Sequence, residues 1–246
     1  MSDALIEVRG LTVGYADQVL LEGASFDVAR GDVFVILGGS GCGKSTLLRY
    51  LIGLETPLSG HISIAGVGAP RLEGAAPEYG VMFQSGALFS SMTVGDNVGF
   101  ALQEWTDLPA EAITAIVRAK LALVGLEGAE DKLPAELSGG MRKRAAIARA
   151  MAFEPSLIFL DEPSAGLDPV SAAELDDLIN ALNRGLGLTV VMVTHELESI
   201  FKVGKNCIML DKASRSIIAS GSPQELKATN RDPRVQQFFH REAGRR

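Results

Sequence analysis

The residues with the clearest chemical potential form one glycine-rich run, Gly38-Gly39-Ser40-Gly41-Cys42-Gly43-Lys44-Ser45-Thr46. The apolar run Val33–Leu37 precedes it and Leu47–Leu51 follows it, so the order strand, loop, helix is predicted. Glycines let backbone N–H groups surround a polyphosphate, and the positive end of the following helix favours the same anion. Lys44 adds a charge for the β- and γ-phosphates, and the Ser45 hydroxyl can bind Mg²⁺. The run therefore predicts a nucleoside triphosphate site.

A second candidate group is the carboxylate pair Asp161-Glu162, which follows the apolar run Leu157–Leu160. An aspartate at a strand end beside a phosphate loop suits a Mg²⁺-directed role, and Asp161 has that position. The neighbouring Glu162 suits the orientation and polarisation of an attacking water. Acidic residues also form ordinary turns at strand ends, so the hydrolytic interpretation depends on the glycine-rich loop.

A third group is Leu137-Ser138-Gly139-Gly140-Met141-Arg142-Lys143-Arg144, which precedes a helix predicted to run to about Phe153 and to end before Pro155. Ser138 suits the helix cap, and the two glycines leave the first N–H groups open to an anion. One interpretation is a capped helix with a solvated basic turn. Together with the other two groups, the segment predicts a second phosphate contact.

The elements that position these residues follow from the apolar pattern. Ile6–Tyr15 and Val19–Val28 alternate loosely between apolar and polar residues, as in an antiparallel sheet. Val33–Leu37, Leu157–Leu160 and Val190–Val193 are short unbroken apolar runs, which indicate parallel strands covered by helices on both faces. The predicted fold class is α/β, with the ligand at the carboxyl ends of the parallel strands.

Helical periodicity dominates the middle and the end of the chain. The stretch from about Ser90 to Leu137 is helical in pattern and is predicted to be inserted after a strand at Tyr79–Phe83. Asp168 is expected to cap a further helix that ends at Gly185, and Ser222 is expected to begin a short one.

Composition narrows the class of protein. A chain of 246 residues can form one sizeable domain or two small ones, and its net charge of −7 disfavours nucleic-acid binding. The two cysteines, Cys42 and Cys207, favour a reducing compartment over a disulfide framework. No apolar run approaches the roughly 18 residues of a membrane span, and no leader pattern is present at the first residues. A cytosolic location is expected, with any membrane role exerted through a partner.

In their order and separation, Gly38–Thr46, Leu137–Met141, Asp161–Asp168 and His195 resemble the nucleotide-binding subunits of ABC transporters over nearly the whole chain. The resemblance implies a P-loop NTPase with a RecA-like core, an N-terminal antiparallel β subdomain and an inserted α-helical signature subdomain. One domain over 1–246 is expected, with the core at about 1–89 and 154–221, the helical subdomain at about 90–153 and a tail at about 222–246. ATP and Mg²⁺ are the implied cofactors. Two copies would dimerise head to tail and hold each ATP between one phosphate loop and the other chain's signature loop.

The resemblance also implies roles for single residues. Asp161 would be the Walker B aspartate, Glu162 the catalytic carboxylate and Asp168 the D-loop residue that meets the partner chain. His195 would be the switch histidine on the γ-phosphate, and Gln84 the Q-loop residue that senses Mg²⁺ and faces the membrane subunit.

Two of the implied roles have ordinary alternatives, and one position departs from the family. A lone histidine such as His195 is more often structural than functional. Tyr15 stands where an aromatic residue stacks on adenine, but it could equally pack in the core. Met141 replaces the glutamine that usually ends the signature, which removes an amide from that loop.

Four segments resemble, more narrowly, the ATPase of Mla/Mce-type phospholipid transporters: Phe83–Phe89, Leu137–Met141 with Arg142 and Arg144, Gln103–Pro109, and Asp232–Phe239. The resemblance implies a homodimer on the cytoplasmic face of the inner membrane, bound to a permease, a small STAS-domain protein and a periplasmic lipid-binding Mce protein. Other transported substrates, such as amino acids or metal ions, are an alternative, and so is a non-transport scaffold ATPase. The tail would reach over the dimer partner, or instead dock Val235, Phe238 and Phe239 on its own domain.

Overall fold

The computed structural model describes residues 4–15, 18–71 and 78–240. These residues group into two compact units, one formed by the residues up to 71 together with 189–240, and the other by 78–188. Each unit is described separately. Positions 1–3 of the predicted domain and positions 241–246 of the predicted tail lie outside the described residues.

The described residues contain nine strands and eight α-helices. The strands are β1 (Ala4–Tyr15), β2 (Gln18–Ala29), β3 (Val33–Gly38), β4 (Ser59–Ile64), β5 (Gly80–Met82), β6 (Leu157–Asp161), β7 (Thr189–Val193), β8 (Asn206–Asp211) and β9 (Ser216–Gly221). The helices are α1 (Lys44–Leu51), α2 (Val94–Trp105), α3 (Ala110–Leu123), α4 (Gly139–Ala150), α5 (Pro169–Leu186), α6 (Leu197–Val203), α7 (Pro223–Thr229) and α8 (Pro233–His240).

The first unit contains an antiparallel sheet and a mainly parallel sheet. Strands β2, β1 and β4 form the antiparallel sheet in that order, as the alternating pattern predicted. Strand β3 pairs in parallel with β7 on one side and with β8 on the other, and β9 is antiparallel to β8. Every residue of β3 and β7 is buried, which accounts for their unbroken apolar sequences. The predicted α/β class, with antiparallel and parallel sheets, is confirmed.

Helix α1 connects the two sheets of the first unit. Its buried face consists of Leu47, Leu48, Tyr50 and Leu51. It packs on β3, β7 and β1. The Tyr50 hydroxyl donates a 2.7 Å hydrogen bond to the carbonyl of Gly14, near the end of β1. The last turn of α1 is thereby tied to the end of β1.

The second unit combines the strand pair β5–β6 with four helices. The two strands are parallel, with Met82 opposite Leu160. Helices α2, α3 and α4 pack on one another, and α4 also contacts β5 and α5. The predicted helical character of the inserted stretch is confirmed, and Thr93 begins α2 with a reciprocal capping box that includes Asp96.

Two predicted helix ends are wrong by a few residues. Helix α5 continues through Gly185 to Leu186 and ends at Gly187, whose φ of +66° places it in the left-handed region that terminates helices. Helix α4 ends at Ala150 rather than near Phe153. Proline disfavours the helical conformation at the residue before it, and Glu154, which precedes Pro155, has a left-handed φ of +52° instead.

The tail helix α8 docks on its own unit. Val235 and Phe239 are 0% and 2% exposed, and the Phe239 ring lies 5.6 Å from the Phe201 ring of α6. Arg234 pairs at 2.9 Å with Asp211 at the end of β8. Phe238, which was expected to dock as well, is only half-buried. The structure therefore favours the interpretation in which the tail packs on its own domain.

Replacing Phe239 by alanine should lower the free energy of unfolding by about 3–5 kcal/mol, because a large buried ring is removed and a cavity remains. Chemical denaturation followed by circular dichroism measures this change. The neighbouring Gln237→Ala is the control, since Gln237 is exposed. Equal stability of the two variants would contradict the packing described for α8.

Candidate nucleotide-binding site

The glycine-rich loop leaves the carboxyl end of β3 and enters α1. Gly38 has φ of +143°, and a Cβ there would lie 2.6 Å from the Leu210 carbonyl oxygen and 2.5 Å from the Cys42 sulfur. Only glycine therefore fits this close approach to β8. Gly43 precedes α1 with φ of +99°, and no acidic residue occupies the first turn of the helix. The positive end of α1 is thus open to an anion.

The side chains of the loop divide into buried and exposed groups. The Lys44 ammonium donates hydrogen bonds to the carbonyls of Gly38 at 2.9 Å and Gly39 at 3.0 Å. The Cys42 thiol is buried, and burial raises its pKa, so it is a packing group and not a reactive thiolate. The exposed residues of the loop are Gly39, Ser40, Gly41 and Ser45, whereas Thr46 is half-buried.

His195 and the loop leave adjacent parallel strands at the same sheet edge. Ile36 of β3 lies opposite Val193 of β7, and His195 follows two residues later. Its side chain is 57% exposed, and Nε2 lies 3.4 Å from the Glu196 carboxylate. A histidine so exposed has no packing role, in contrast to the structural alternative.

Tyr15 ends β1 on the surface of the first unit. It is 44% exposed, and its hydroxyl donates to the Glu55 carboxylate at 3.2 Å. Glu55 also pairs with Arg49 of α1 at 3.3 Å. The core-packing alternative for Tyr15 is therefore wrong, and an exposed ring available for stacking remains.

In the second unit, Gln84 and the carboxylate pair follow two paired strands. Because β5 and β6 are parallel, Gln84 and Asp161-Glu162 emerge at the same edge of that strand pair. Gln84 is exposed and Asp161 is half-buried, whereas Glu162 is only 8% exposed. Glu162 has φ of +47°, a left-handed conformation that costs a non-glycine residue on the order of 1–3 kcal/mol. Such strain is typical of functional positions.

The signature segment forms the beginning of α4. Ser138 is the cap, and its hydroxyl accepts a 3.2 Å hydrogen bond from the Met141 N–H. Gly139 lies against Leu167, and Gly140 against Ser171 of α5. No acidic residue is present in the first turn of α4, so its N–H groups face an environment suited to an anion.

Asp168 lies beside the signature segment as the cap of α5. Its carboxylate accepts from the N–H groups of Val170 and Ser171 at 3.1 Å and 3.0 Å and from the Ser171 hydroxyl at 2.6 Å. These bonds, chiefly the one from the Ser171 hydroxyl, lower its pKa. Asp168 is exposed, which leaves part of its carboxylate accessible from outside.

The basic residues after the signature form a solvated turn only in part, because Arg142 is exposed and Arg144 is half-buried, whereas Lys143 is buried. Arg142 donates to the Leu137 carbonyl at 2.8 Å, and Arg144 pairs with Glu174 at 3.0 Å. Lys143 is 8% exposed and donates to the carbonyls of Gln84 and Glu162 at 2.5 Å and 3.4 Å. Burial lowers its pKa, against the opposing charges of Asp161 and Glu162.

Lys143 and Arg149 have contacts that sequence reasoning missed. Arg149 donates to the carbonyls of Gly86 and Ala87 at 3.0 Å and 2.6 Å. The only signal in the sequence was the position of both cations on α4, among buried alanines and Ile147. Such a position predicts that a cation needs a partner but does not identify it.

The loop between β3 and α1 and the α/β fold define a P-loop nucleotide-binding protein. The family model for ABC transporters matches residues 21–165. The chain belongs to the ABC transporter family as its ATP-binding cassette, which is an ATPase. No helix among the described residues is long and apolar enough to span a membrane.

Individual relatives refine the comparison. An intermembrane phospholipid transport ATP-binding protein of Escherichia coli, MlaF, is 42% identical over 96% of this chain and 88% of its own length. The protein named "probable ribonucleotide transport ATP-binding protein mkl" of Mycobacterium leprae is 43% identical over 96% of this chain and 68% of its own. Among solved structures, a dimeric post-hydrolysis state of the cassette MJ0796 with ADP and Pi has a TM-score of 0.77 and 26% identity. It matches 88% of this chain and 98% of that one. The predicted ABC cassette fold and the resemblance to phospholipid transport ATPases are confirmed.

Proposed function

We propose that this chain hydrolyses ATP to drive phospholipid transport between the inner and the outer membrane, which maintains the lipid asymmetry of the outer membrane. The observation that supports it most is the 42% identity to the E. coli phospholipid transport ATPase, which extends over nearly the whole of both chains. The positions of the candidate residues agree with that activity, because the phosphate loop and the carboxylate pair each follow the carboxyl ends of parallel strands.

The hydrolytic step assigns a separate task to each residue. The Lys44 ammonium leaves the loop carbonyls and binds the β- and γ-phosphates instead. The backbone N–H groups of Gly38–Thr46 bind the remaining phosphate oxygens. Glu162 orients a water molecule and accepts its proton as the water oxygen attacks the γ-phosphorus. The bond to the β–γ bridging oxygen breaks, and ADP and phosphate leave. His195 donates a hydrogen bond to the γ-phosphate oxygens as charge develops there.

The remaining residues bind the nucleotide from other directions. The exposed ring of Tyr15 stacks on the adenine. In the head-to-tail dimer, Ser138, Gly139, Gly140 and Met141 contact the γ-phosphate held by the other chain, through the open N-terminus of α4. Asp168 meets the partner chain beside that contact. The Met141 N–H already binds the Ser138 hydroxyl. The Met141 side chain itself offers no amide to the nucleotide, unlike the glutamine that is usual at this position.

Mg²⁺ fits the proposed donors. Ser45, Gln84 and Asp161 offer a hydroxyl, an amide oxygen and a carboxylate, and all three are hard oxygen ligands of the kind that Mg²⁺ prefers. The described residues contain no cluster of three or more His, Cys, Asp or Glu side chains arranged to hold a metal. That agrees with an ion whose other ligands are substrate phosphates and water. When bound, Mg²⁺ would neutralise phosphate charge.

The partners follow from the same proposal. The ATPase subunits form a homodimer on the cytoplasmic face of the inner membrane, where a permease contacts the surface around the exposed Gln84. A small STAS-domain protein and a periplasmic lipid-binding Mce protein complete the system. No nucleic acid takes part, in agreement with the net charge of −7.

Ribonucleotide transport is the second candidate, because the mycobacterial relative has the same level of identity. Its greater length weakens that comparison, since this chain covers 68% of it and 88% of the E. coli protein. Native purification, followed by a transfer assay, distinguishes the two. A tagged chain isolated with its membrane partners in mild detergent should bring down a polytopic membrane protein together with phospholipid, identified by mass spectrometry of proteins and extracted lipids.

The complex must then move lipid between vesicles. We expect ATP-dependent transfer of a fluorescent phospholipid between donor and acceptor vesicles that contain the complex. A complex assembled with the Lys44→Ala chain should show no transfer. A complex that moves labelled ribonucleotide and no lipid would support the second candidate. A soluble scaffold partner with no membrane protein would overturn both.

A further inference from the structure

Lys143 joins three separate segments of the second unit. It lies on α4, and its ammonium donates to the carbonyl of Gln84, which follows β5, and to that of Glu162, which follows β6. These partners lie 59 and 19 residues away in sequence. One side chain therefore fixes the backbone at both positions that the proposed hydrolysis requires.

Burial of Lys143 calls for an explanation in terms of its partners. The residue is 8% exposed, and a lysine is almost never buried unless its charge is paired or hydrogen-bonded. An apolar side chain of similar length would fill the same space without that desolvation cost. An apolar side chain, however, has no N–H groups to donate to the two carbonyl oxygens.

The two segments that Lys143 holds are conformationally demanding. Glu162 has a left-handed φ of +47°, and Ala87, three residues after Gln84, has φ of +48°. Arg149 binds the carbonyls of Gly86 and Ala87 from the same helix. Backbone in such conformations persists only when its surroundings hold it, and here α4 supplies two cations as the holding groups, the buried Lys143 and the half-buried Arg149.

We propose that Lys143 is a positioning residue for ATP hydrolysis, whose ammonium sets the locations of the Gln84 and Glu162 side chains by holding both of their backbone carbonyls. This inference rests on the proposed ATPase roles of those two residues. Because α4 begins at the signature residues Ser138–Met141, the same contact links the position of the signature segment to the position of the water-activating carboxylate.

The test compares Lys143→Met with Lys120→Met in the full-length chain. Lys120 is also 8% exposed and pairs with Glu154 at 2.9 Å, which joins α3 to the segment that follows α4. Both variants lose a buried ammonium and should lower the Tm. Lys143→Met should also lower kcat by about 10–100-fold with KM for ATP within about threefold, because misplacing a reacting group by about 1 Å costs up to about 100-fold. Lys120→Met should retain kcat within about twofold.

A graded series keeps the test decisive if Lys143→Met does not fold. Lys143→Arg retains a charged donor with several N–H groups, and Lys143→Gln retains a shorter neutral one. We expect kcat to fall in the order Lys, Arg, Gln at nearly constant KM. Equal kcat for Arg and Gln, or unchanged kcat in Lys143→Met, would overturn the positioning role.

A double-mutant cycle separates positioning from general stability. If Lys143 acts by placing Gln84, Lys143→Met should reduce kcat at least about threefold less in a Gln84→Ala background than in the unmodified chain. Full additivity would contradict the inference. Absence of ATP hydrolysis by the unmodified chain would instead overturn the proposed function, so the two failures are distinct.

Discussion

Replacing Glu162 by glutamine should lower kcat for ATP hydrolysis by about 100–10,000-fold and leave ATP affinity within about threefold. Glu162 directly follows β6 and is 8% exposed, and the Lys143 ammonium donates to its backbone carbonyl at 3.4 Å. Glutamine keeps the shape of the side chain but cannot accept the proton of the attacking water. Steady-state phosphate release measures turnover, and equilibrium binding of a fluorescent ATP analogue measures affinity.

The matched control for that prediction is Glu174→Gln. Glu174 lies in the same unit and pairs with Arg144 on the surface, where an ion pair contributes little to stability. It should therefore retain kcat within about twofold. If Glu162→Gln hydrolyses ATP as fast as Glu174→Gln, Glu162 is not the general base, and the proposed mechanism loses its central step.

The second large effect is expected at Lys44. Replacing it by methionine should weaken ATP binding by about 10–100-fold and reduce hydrolysis at least as much. A charge-assisted hydrogen bond contributes about 1.5–3 kcal/mol, and each 1.4 kcal/mol is a factor of ten in affinity. The fold should persist, because the Lys44 ammonium binds, among the described residues, the carbonyls of Gly38 and Gly39 within its own loop. Isothermal titration with ATP in excess Mg²⁺ measures the change.

Lys205→Met is the control for the Lys44 variant. The Lys205 ammonium also donates to a backbone carbonyl, that of Gly31 at 2.9 Å. Gly31 precedes β3, however, whereas the phosphate loop follows the opposite end of that strand. Loss of that ammonium should leave ATP affinity within about twofold. Similar weakening in both variants would mean that overall positive charge, and not the position of Lys44 in the loop, determines affinity.

The sequence predicted the parts of the site whose residues lie close together along the chain. The glycine-rich run, the buried strand before it and the helix after it occur within 20 residues, so their pattern is complete in one segment. Strands β3, β6 and β7 were predictable for a related reason, since strands buried on both faces have unbroken apolar sequences. Their parallel pairing then followed from the fold class.

Contacts between distant segments were not predictable in this way. The basic run after the signature has the composition of an exposed turn, yet Lys143 is buried because the carbonyls of Gln84 and Glu162 meet it in three dimensions. The end of α5 was misjudged because Gly185 and Gly187 are both acceptable helix terminators in sequence. The backbone conformation decides between them, and only Gly187 adopts the left-handed φ of +66°.

The sequence also did not predict which single side chains are exposed. Tyr15 and His195 each had a structural and a functional alternative in the sequence, and periodicity did not separate them. Their exposed positions at the ends of β1 and β7 favour the functional alternatives. Their contacts with nucleotide remain predictions.

The most direct measurement of the central claim is sedimentation of the Glu162→Gln chain in ATP and Mg²⁺, with the bound nucleotide counted after separation. Two chains that trap ATP in shared sites should sediment as a dimer with two ATP molecules, and the Lys44→Met,Glu162→Gln chain should remain a monomer. A Glu162→Gln chain that stays monomeric and free of nucleotide would contradict the account.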